Sequence, residues 1–148
     1  MRPKSIELFE RFYLAALLVS VVANAIGYRG AAAGMEARFA VIPGWEGFGA
    51  PAFYASAALG VIVPLLLWYF VTRRASVVAK WIVVAQFALG AAGMAMALVQ
   101  GNLSLGLLSL LSVLGFALRA AAVHALFRPD AKAWFASKPA EPDEAVAE

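Results

Sequence analysis

Four long stretches of apolar, almost uncharged sequence constrain this chain more than any other feature. They form the centres of four predicted helices, over about residues 8–28, 53–72, 77–99 and 103–127. A helix needs about 20 mostly apolar residues to cross a hydrocarbon core of roughly 30 Å. Helices in soluble cores seldom stay apolar on all sides for that length. The pattern predicts an all-α fold, namely a transmembrane four-helix bundle.

Composition decides between this fold and the alternative, a buried soluble bundle. Hydrophobic residues make up 64% of the chain and charged residues 14%, whereas soluble domains average about 45–50% and about 25%. Too few polar groups are present to cover a water-exposed surface, so lipid is the expected solvent. We predict a four-span membrane domain over residues 1–136 and a disordered cytoplasmic tail, rich in Pro, Ala and Glu, over 137–148.

The distribution of basic residues predicts the orientation. Of the 12 Lys and Arg residues, nine cluster at the start of the first helix (Arg2, Lys4, Arg11), around the junction of the second and third (Arg73, Arg74, Lys80) and after the fourth (Arg128, Lys132, Lys138). Only Arg29 and Arg38 fall in the other gaps, and Arg119 lies inside the fourth span. The positive-inside rule then places both termini in the cytoplasm. Because the basic residues form short clusters between apolar runs, nucleic acid is not an expected partner, and the lipid bilayer is.

A cleaved signal peptide is the alternative interpretation of the first span. Ala23-Asn24-Ala25 fits the small-residue pattern of a cleavage site after a basic start and an apolar run. Glu7 and Glu10 in the leading segment argue against it, because such segments are basic. The sequence leaves both interpretations open.

The flanking segments give further expectations. Ser5 has the side chain of a helix N-cap. The outer connection, over about residues 29–51, is predicted to be a loop with turns at Pro43-Gly44 and Gly47 and with aromatic residues at headgroup level. After the break at Pro129, the segment that ends at Phe135 is expected to form a short interfacial helix.

Arg119 and His124 are the ionisable residues inside a predicted span, and such residues are the first functional candidates in a membrane protein. In one interpretation Arg119 packs inward and pairs with Gln86 on the third helix or with Glu10 on the first. In the other, it binds an anionic substrate or lipid headgroup from the cytoplasmic side. His124 lies about one turn from the interface, where solvation is expected.

The sequence offers no catalytic, metal-binding or cofactor-binding constellation. Cysteine is absent from the chain, which excludes thiolate chemistry and thiolate-ligated metals. No carboxylate lies within the apolar spans proper, because Glu7 and Glu10 precede the apolar run that begins at Phe12, and no protease motif, P-loop or dinucleotide-binding turn is present. We therefore predict that the chain is not an enzyme and holds neither a metal nor a cofactor.

Short motifs at both ends carry a resemblance. They are Arg2-Pro3-Lys4-Ser5-Ile6 before the first span, Val78-Ala79-Lys80-Trp81 at the entry to the third, and Arg128-Pro129 with Trp134-Phe135 after the fourth. In these, and in its layout, the chain resembles small bacterial inner-membrane proteins. The resemblance implies a four-span fold in the inner membrane. It implies no activity, so no functional residue follows from it.

Two functional hypotheses follow. The first is an accessory or scaffold subunit that packs against a membrane-protein partner or a second copy of itself, suggested by four spans with little mass outside the membrane. The second is a small transporter or a protein that binds a lipid or another anionic ligand, with Arg119 and Gln86 at the site.

Overall fold

The computed structural model describes residues 3–100 and 106–136, and all secondary structure in these residues is helical. The five helices are α1 (Lys4–Ala40), α2 (Gly49–Arg74), α3 (Val77–Val99), α4 (Leu107–Leu126) and α5 (Pro129–Ala136). Within the described residues, three helices are long and apolar enough to cross a membrane, namely α2, α3 and α4. The all-α prediction is confirmed, and the membrane character of the chain is supported by these three helices.

The predicted boundaries agree closely with the structure for α2 and α3, and less well for α1. The segment 29–40, expected to be loop, continues α1 for three further turns. That expectation was wrong because Arg29 and Gly30 end the apolar run without ending the helix. The residues that follow are mainly Ala, Met, Glu and Arg, which are strong helix formers. The helix ends before Pro43, which disfavours helical backbone in the residue before it.

The N-terminus of α1 also differs from the expectation. Pro3 is the N-cap residue and Ser5 lies inside the first turn, so the prediction of Ser5 as the cap was wrong. The fourth helix begins at Leu107 rather than at 103, and residues 103–105 lie outside the described part of the chain. The predicted disordered tail over 137–148 likewise lies outside the described residues. The short helix expected after the proline break is present as α5.

The buried core lies at one end of the molecule. It joins the start of α1, the end of α2, the start of α3, the end of α4 and α5, through Ile6, Phe9, Tyr13, Leu67, Val71, Ala79, Val83, Ala122, Ala125, Leu126 and Ala131. Successive long helices therefore run in opposite directions. The same arrangement gathers the basic residues that flank these helix ends, and we call this end of the molecule the basic end.

Polar contacts tie α5 to the basic end. The Asp130 carboxylate accepts a hydrogen bond of 3.0 Å from the backbone N–H of Ser5, one of the N–H groups that the first turn of α1 leaves without a helical partner. The ammonium group of Lys80 lies 4.5 Å from the centre of the Phe127 ring and 5.1 Å from that of Phe135, within the range of cation–π attraction. Contacts between residues far apart in sequence thus hold α5 and the ends of the long helices together at the basic end.

The opposite half, which we call the distal half, is packed unevenly. Helices α1 and α4 stay close: a Cβ on Gly27 would lie 3.4 Å from the Leu108 side chain, and one on Gly115 would lie 3.6 Å from Val19. Helix α3 packs on α2 and α4 over shorter stretches. Many large apolar side chains in this half are exposed, among them Leu89 on α3 and Leu110 on α4.

The connection between α1 and α2 is held by Glu36. Its carboxylate accepts hydrogen bonds from the backbone N–H of Gly47 (3.1 Å) and of Ala50 (3.0 Å), so a side chain on α1 caps the first turn of α2. A side chain at position 49 would collide with Glu36, so only glycine allows this approach. Gly44 and Gly47 have positive φ, as the predicted turns require.

Candidate functional site

Arg119 lies near the middle of α4. It precedes Arg128 by nine residues, which corresponds to about 13 Å along a helix axis. Its side chain is half-buried, and Nη2 donates a hydrogen bond of 3.1 Å to the hydroxyl of Ser20 on α1. The Ser20 hydroxyl in turn donates to the carbonyl of Ala16 at 2.9 Å. A residue of α1 therefore holds the guanidinium between the two closely packed helices.

A cavity of about 320 Å³ lies on one side of Arg119, between all four long helices. We call it the central cavity. Its walls carry large apolar side chains together with three polar ones, and they are formed by Tyr13, Leu17, Leu59, Gly60, Val63, Pro64, Val83, Gln86, Phe87, Leu89, Arg119 and Val123. Its volume falls at the lower end of the range for small-molecule sites, about 300–1,000 Å³.

A second cavity, of about 590 Å³, lies between α1, α3 and α4 in the distal half. We call it the distal cavity. Small residues and four polar ones predominate in its walls, which are formed by Ser20, Ala23, Asn24, Gly27, Gly30, Ala31, Gly90, Met94, Leu108, Leu111, Ser112, Gly115, Phe116 and Arg119. Arg119 is common to both sets of walls, so the two cavities meet at its side chain.

The structure brings together some of the residues that the sequence singled out. Gln86 lies on the wall of the central cavity with Arg119. Arg119 is hydrogen-bonded to Ser20 rather than to Gln86. Glu10 lies on α1 nearer the basic end and lines neither cavity. His124 is exposed near the end of α4 and also lines neither.

Tyr13 is a site residue that the sequence analysis missed. It is 7% exposed, its ring centre lies 5.0 Å from that of Phe9, and it lines the central cavity. A signal was present, because Tyr13, Ser20 and Asn24 recur at helical spacing and therefore share one face of α1. Three polar side chains on one face of an otherwise apolar helix mark the face that looks into the protein.

Arg119 dominates the electrostatics of the site. No carboxylate within residues 3–100 and 106–136 forms an ion pair with it, and no other Lys, Arg or His lines either cavity. A guanidinium has five N–H donors in a planar fork that suits carboxylate and phosphate. The arrangement therefore suits the binding of an anion.

No cluster of three or more His, Cys, Asp or Glu side chains that would hold a metal ion occurs in the described part of the chain. The polar atoms around Arg119 come from Tyr, Ser, Asn and Gln side chains, which bind ligands by hydrogen bonds.

Comparisons with known proteins identify no family for this chain: no protein-family model, curated protein or solved structure matches it. The resemblance to small bacterial inner-membrane proteins therefore stays a prediction.

Proposed function

We propose that this chain is a four-span integral membrane protein that binds an anionic ligand at Arg119. The observation that carries the proposal is the meeting of two cavities at a single guanidinium, with no carboxylate paired to it among the described residues. An Arg side chain near the centre of a span costs at least roughly 2.5–3.5 kcal/mol on insertion scales. A bound anion would offset that cost.

The packing of α1 supports a fourth span. Helix α1 lies along both α4 and α2, which are themselves long and apolar enough to cross a membrane. Its residues 12–28 contain no charged side chain. If α2 and α4 cross the bilayer, α1 crosses with them, and the continuation to Ala40 carries the helix into the headgroup layer beyond.

The orientation we propose has the basic end in the cytoplasm, as the positive-inside rule requires, and the membrane is a bacterial inner membrane. Access to Arg119 is then from the outer side. Access from the cytoplasmic side, expected from the sequence, is disfavoured because Ile6, Phe9, Val71 and Leu126 are completely buried in the core at the basic end. The distal cavity extends from Arg119 in the opposite direction, toward the proposed outer side.

Replacement of Arg119 tests the proposal. Purified protein in nanodiscs is titrated by calorimetry with chloride, acetate, octanoate and inorganic phosphate, with empty nanodiscs as the blank. Arg119→Leu should abolish binding, and Arg119→Lys should weaken it, because lysine keeps the charge and loses the fork. Arg38→Leu, which removes an exposed arginine from α1, should bind like the native protein.

The thermal unfolding midpoint separates a folding defect from a binding defect. If Arg119→Leu folds poorly, Gly90→Leu serves in its place, because a side chain at Gly90 enters open space beside the distal cavity. Unchanged anion binding by a folded Arg119→Leu variant would contradict the proposal, as would the absence of binding by the native chain.

The accessory-subunit hypothesis is a second candidate, and the opening between α1, α3 and α4 favours it. A helix of a partner protein would fill the distal cavity, where Gly30 and Gly90 face open space and permit close approach of another backbone. Mild detergent extraction and affinity purification should then recover a partner in fixed stoichiometry. Gly90→Leu should disrupt that complex, and recovery of a single species would contradict the hypothesis.

A further inference from the structure

The two cavities that meet at Arg119 differ in the chemistry of their walls, and this difference indicates the class of ligand. The central cavity is lined by large aliphatic and aromatic side chains, including Leu17, Val63 and Phe87. The distal cavity is lined mainly by Gly, Ala and Ser. A ligand with one charged and one apolar part would therefore find a different surface on each side of the guanidinium.

Polar groups in the distal cavity form two facing rows. Ser20 and Asn24 are one turn apart on α1, and Ser112 and Arg119 are two turns apart on α4. The two Ser hydroxyls and the Asn24 amide nitrogen each donate to a backbone carbonyl of their own helix. Hydroxyl and amide oxygens keep lone pairs that accept hydrogen bonds from water. The distal cavity thus offers a hydrated approach to Arg119.

A ligand that enters through the distal cavity reaches Arg119 first and the central cavity after it. Besides the guanidinium, its polar groups are the Tyr13 phenol and the Gln86 amide, both neutral donors. A carboxylate on the guanidinium has two oxygens with about four lone-pair sites, so it accepts from Arg119 and from a neutral donor together. One cationic side chain among the described lining residues matches a monoanion better than a phosphate dianion.

The volume of the central cavity limits the apolar part of the ligand. About 320 Å³ is small for a ligand site, and the cavity accommodates a short chain or a single ring rather than the two acyl chains of a phospholipid. Phe87, on the wall of this cavity, is stacked on Phe116 with ring centres 5.0 Å apart, a contact that favours the observed position of its ring.

We propose that the ligand is a small organic carboxylate, which enters through the distal cavity, binds Arg119 through its carboxylate and places its hydrocarbon group in the central cavity. The inference rests on the proposed function, because it requires Arg119 to be an anion site. It adds the ligand class, the direction of entry and the residues that select the apolar part.

Glycine-to-leucine variants test this assignment. A Cβ at Gly60 would meet no heavy atom within 4 Å, and Gly60 lines the central cavity, so Gly60→Leu places a large apolar side chain at the wall of that cavity. Gly93→Leu is the matched control, because Gly93 also faces open space and lines neither cavity. Both changes replace a poor helix former by a good one, so neither should lower stability.

The measurement is calorimetric titration of the native chain and both variants in nanodiscs with acetate, octanoate and benzoate. We expect the native chain to bind octanoate and benzoate at least about tenfold more tightly than acetate. Gly60→Leu should remove most of that difference while acetate affinity stays the same. Gly93→Leu should behave like the native chain.

The outcomes separate this inference from the proposed function. If the native chain binds acetate and octanoate equally, or if Gly60→Leu leaves octanoate binding unchanged, the ligand class is wrong while Arg119 stays an anion site. If Gly60→Leu weakens the binding of acetate as strongly as that of octanoate, the proposal that the carboxylate and the hydrocarbon group occupy different places is wrong. If the native chain binds chloride or phosphate but none of these carboxylates, the ligand class is wrong, and if it binds no anion in either titration, the proposed function itself is contradicted.

Discussion

The basic end and the distal half of this molecule are built from the same four long helices, yet they are packed differently. At the basic end, residues from all four helices and α5 surround Phe9 and Leu126, which are completely buried. In the distal half, α1 and α4 stay together while α3 leaves a cavity of about 590 Å³ beside them. The comparison shows that apolar residues alone do not create a core in a membrane protein, because lipid is as apolar as another helix.

The largest expected effect tests whether the core is confined to the basic end. Leu126 is 0% exposed and Leu110 is 66% exposed on the same helix. Leu126→Ala should lower the free energy of unfolding by about 2–5 kcal/mol, since it leaves a cavity in a packed cluster. Leu110→Ala should change it by no more than about 0.5 kcal/mol. Equilibrium unfolding in mixed micelles measures both, and equal losses would refute the contrast.

A second variant tests the part of the distal half that is closely packed. A Cβ at Gly115 would already be in van der Waals contact with Val19 and Ser20, so the larger side chain of leucine would press against α1. Gly115→Leu should cost roughly 1–3 kcal/mol through overpacking between α1 and α4. Gly93→Leu should cost nothing, because the same side chain would face open space. A neutral Gly115→Leu would show that α1 and α4 separate freely in the membrane.

The third prediction concerns the cap on α2 in the distal half. Glu36→Gln keeps the size of the side chain but replaces one accepting oxygen by an NH₂ group, so one of its two hydrogen bonds to Gly47 and Ala50 is lost. We expect a loss of about 0.5–2 kcal/mol, as for other N-caps, with faster amide exchange at Ala50. Glu46→Gln changes an exposed carboxylate of the same turn and is the control; equal exchange rates in the two variants would argue against the cap.

The smallest effect tests the corresponding cap at the basic end. Desolvation acts to raise the pKa of Asp130, but the hydrogen bond from the Ser5 backbone N–H and the charge of Arg128 outweigh it and lower the pKa below its ordinary value. A lowered pKa in the folded state means that the cap stabilises the fold above a pH of about 4 and is lost as pH falls through the lower value.

The chemical shift of the Ser5 amide, followed by NMR from pH 6 downward, measures this cap. In the native chain the shift should change at a pH below the ordinary aspartate value, and in Asp130→Asn this step should be absent. A transition at the ordinary value would mean that α5 does not hold Asp130 against α1.

Local rules made most of the helices predictable from sequence. Apolar runs without charges gave α2 and α3 within a few residues, and the proline break gave α5. The end of α1 was mispredicted because Arg29 and Gly30 end a hydrophobic run without ending a helix. Helix propensity, rather than hydrophobicity, decides the chain conformation beyond the end of the apolar run.

The candidate site was only partly predictable. Arg119 is conspicuous in a sequence because a charge inside an apolar stretch is rare, and Gln86 was found by its depth in α3. Ser20, which hydrogen-bonds to Arg119, and the cavity residue Tyr13 lie on α1, about 100 residues before Arg119 in the chain. Spacing within α1 shows which face is polar, but it does not show which helix that face meets.

The sequence by itself therefore determined the helical class of this protein, the approximate extent of α2, α3 and α5, the basic clusters and the arginine within the apolar run of α4. All of these depend on interactions between neighbours along the chain. Only the tertiary structure decided that α1 packs on α4, that the basic end is closed and that two cavities meet at Arg119. Those features depend on how side-chain shapes fit between helices, and apolar residues that pack against lipid or against protein look the same in a sequence.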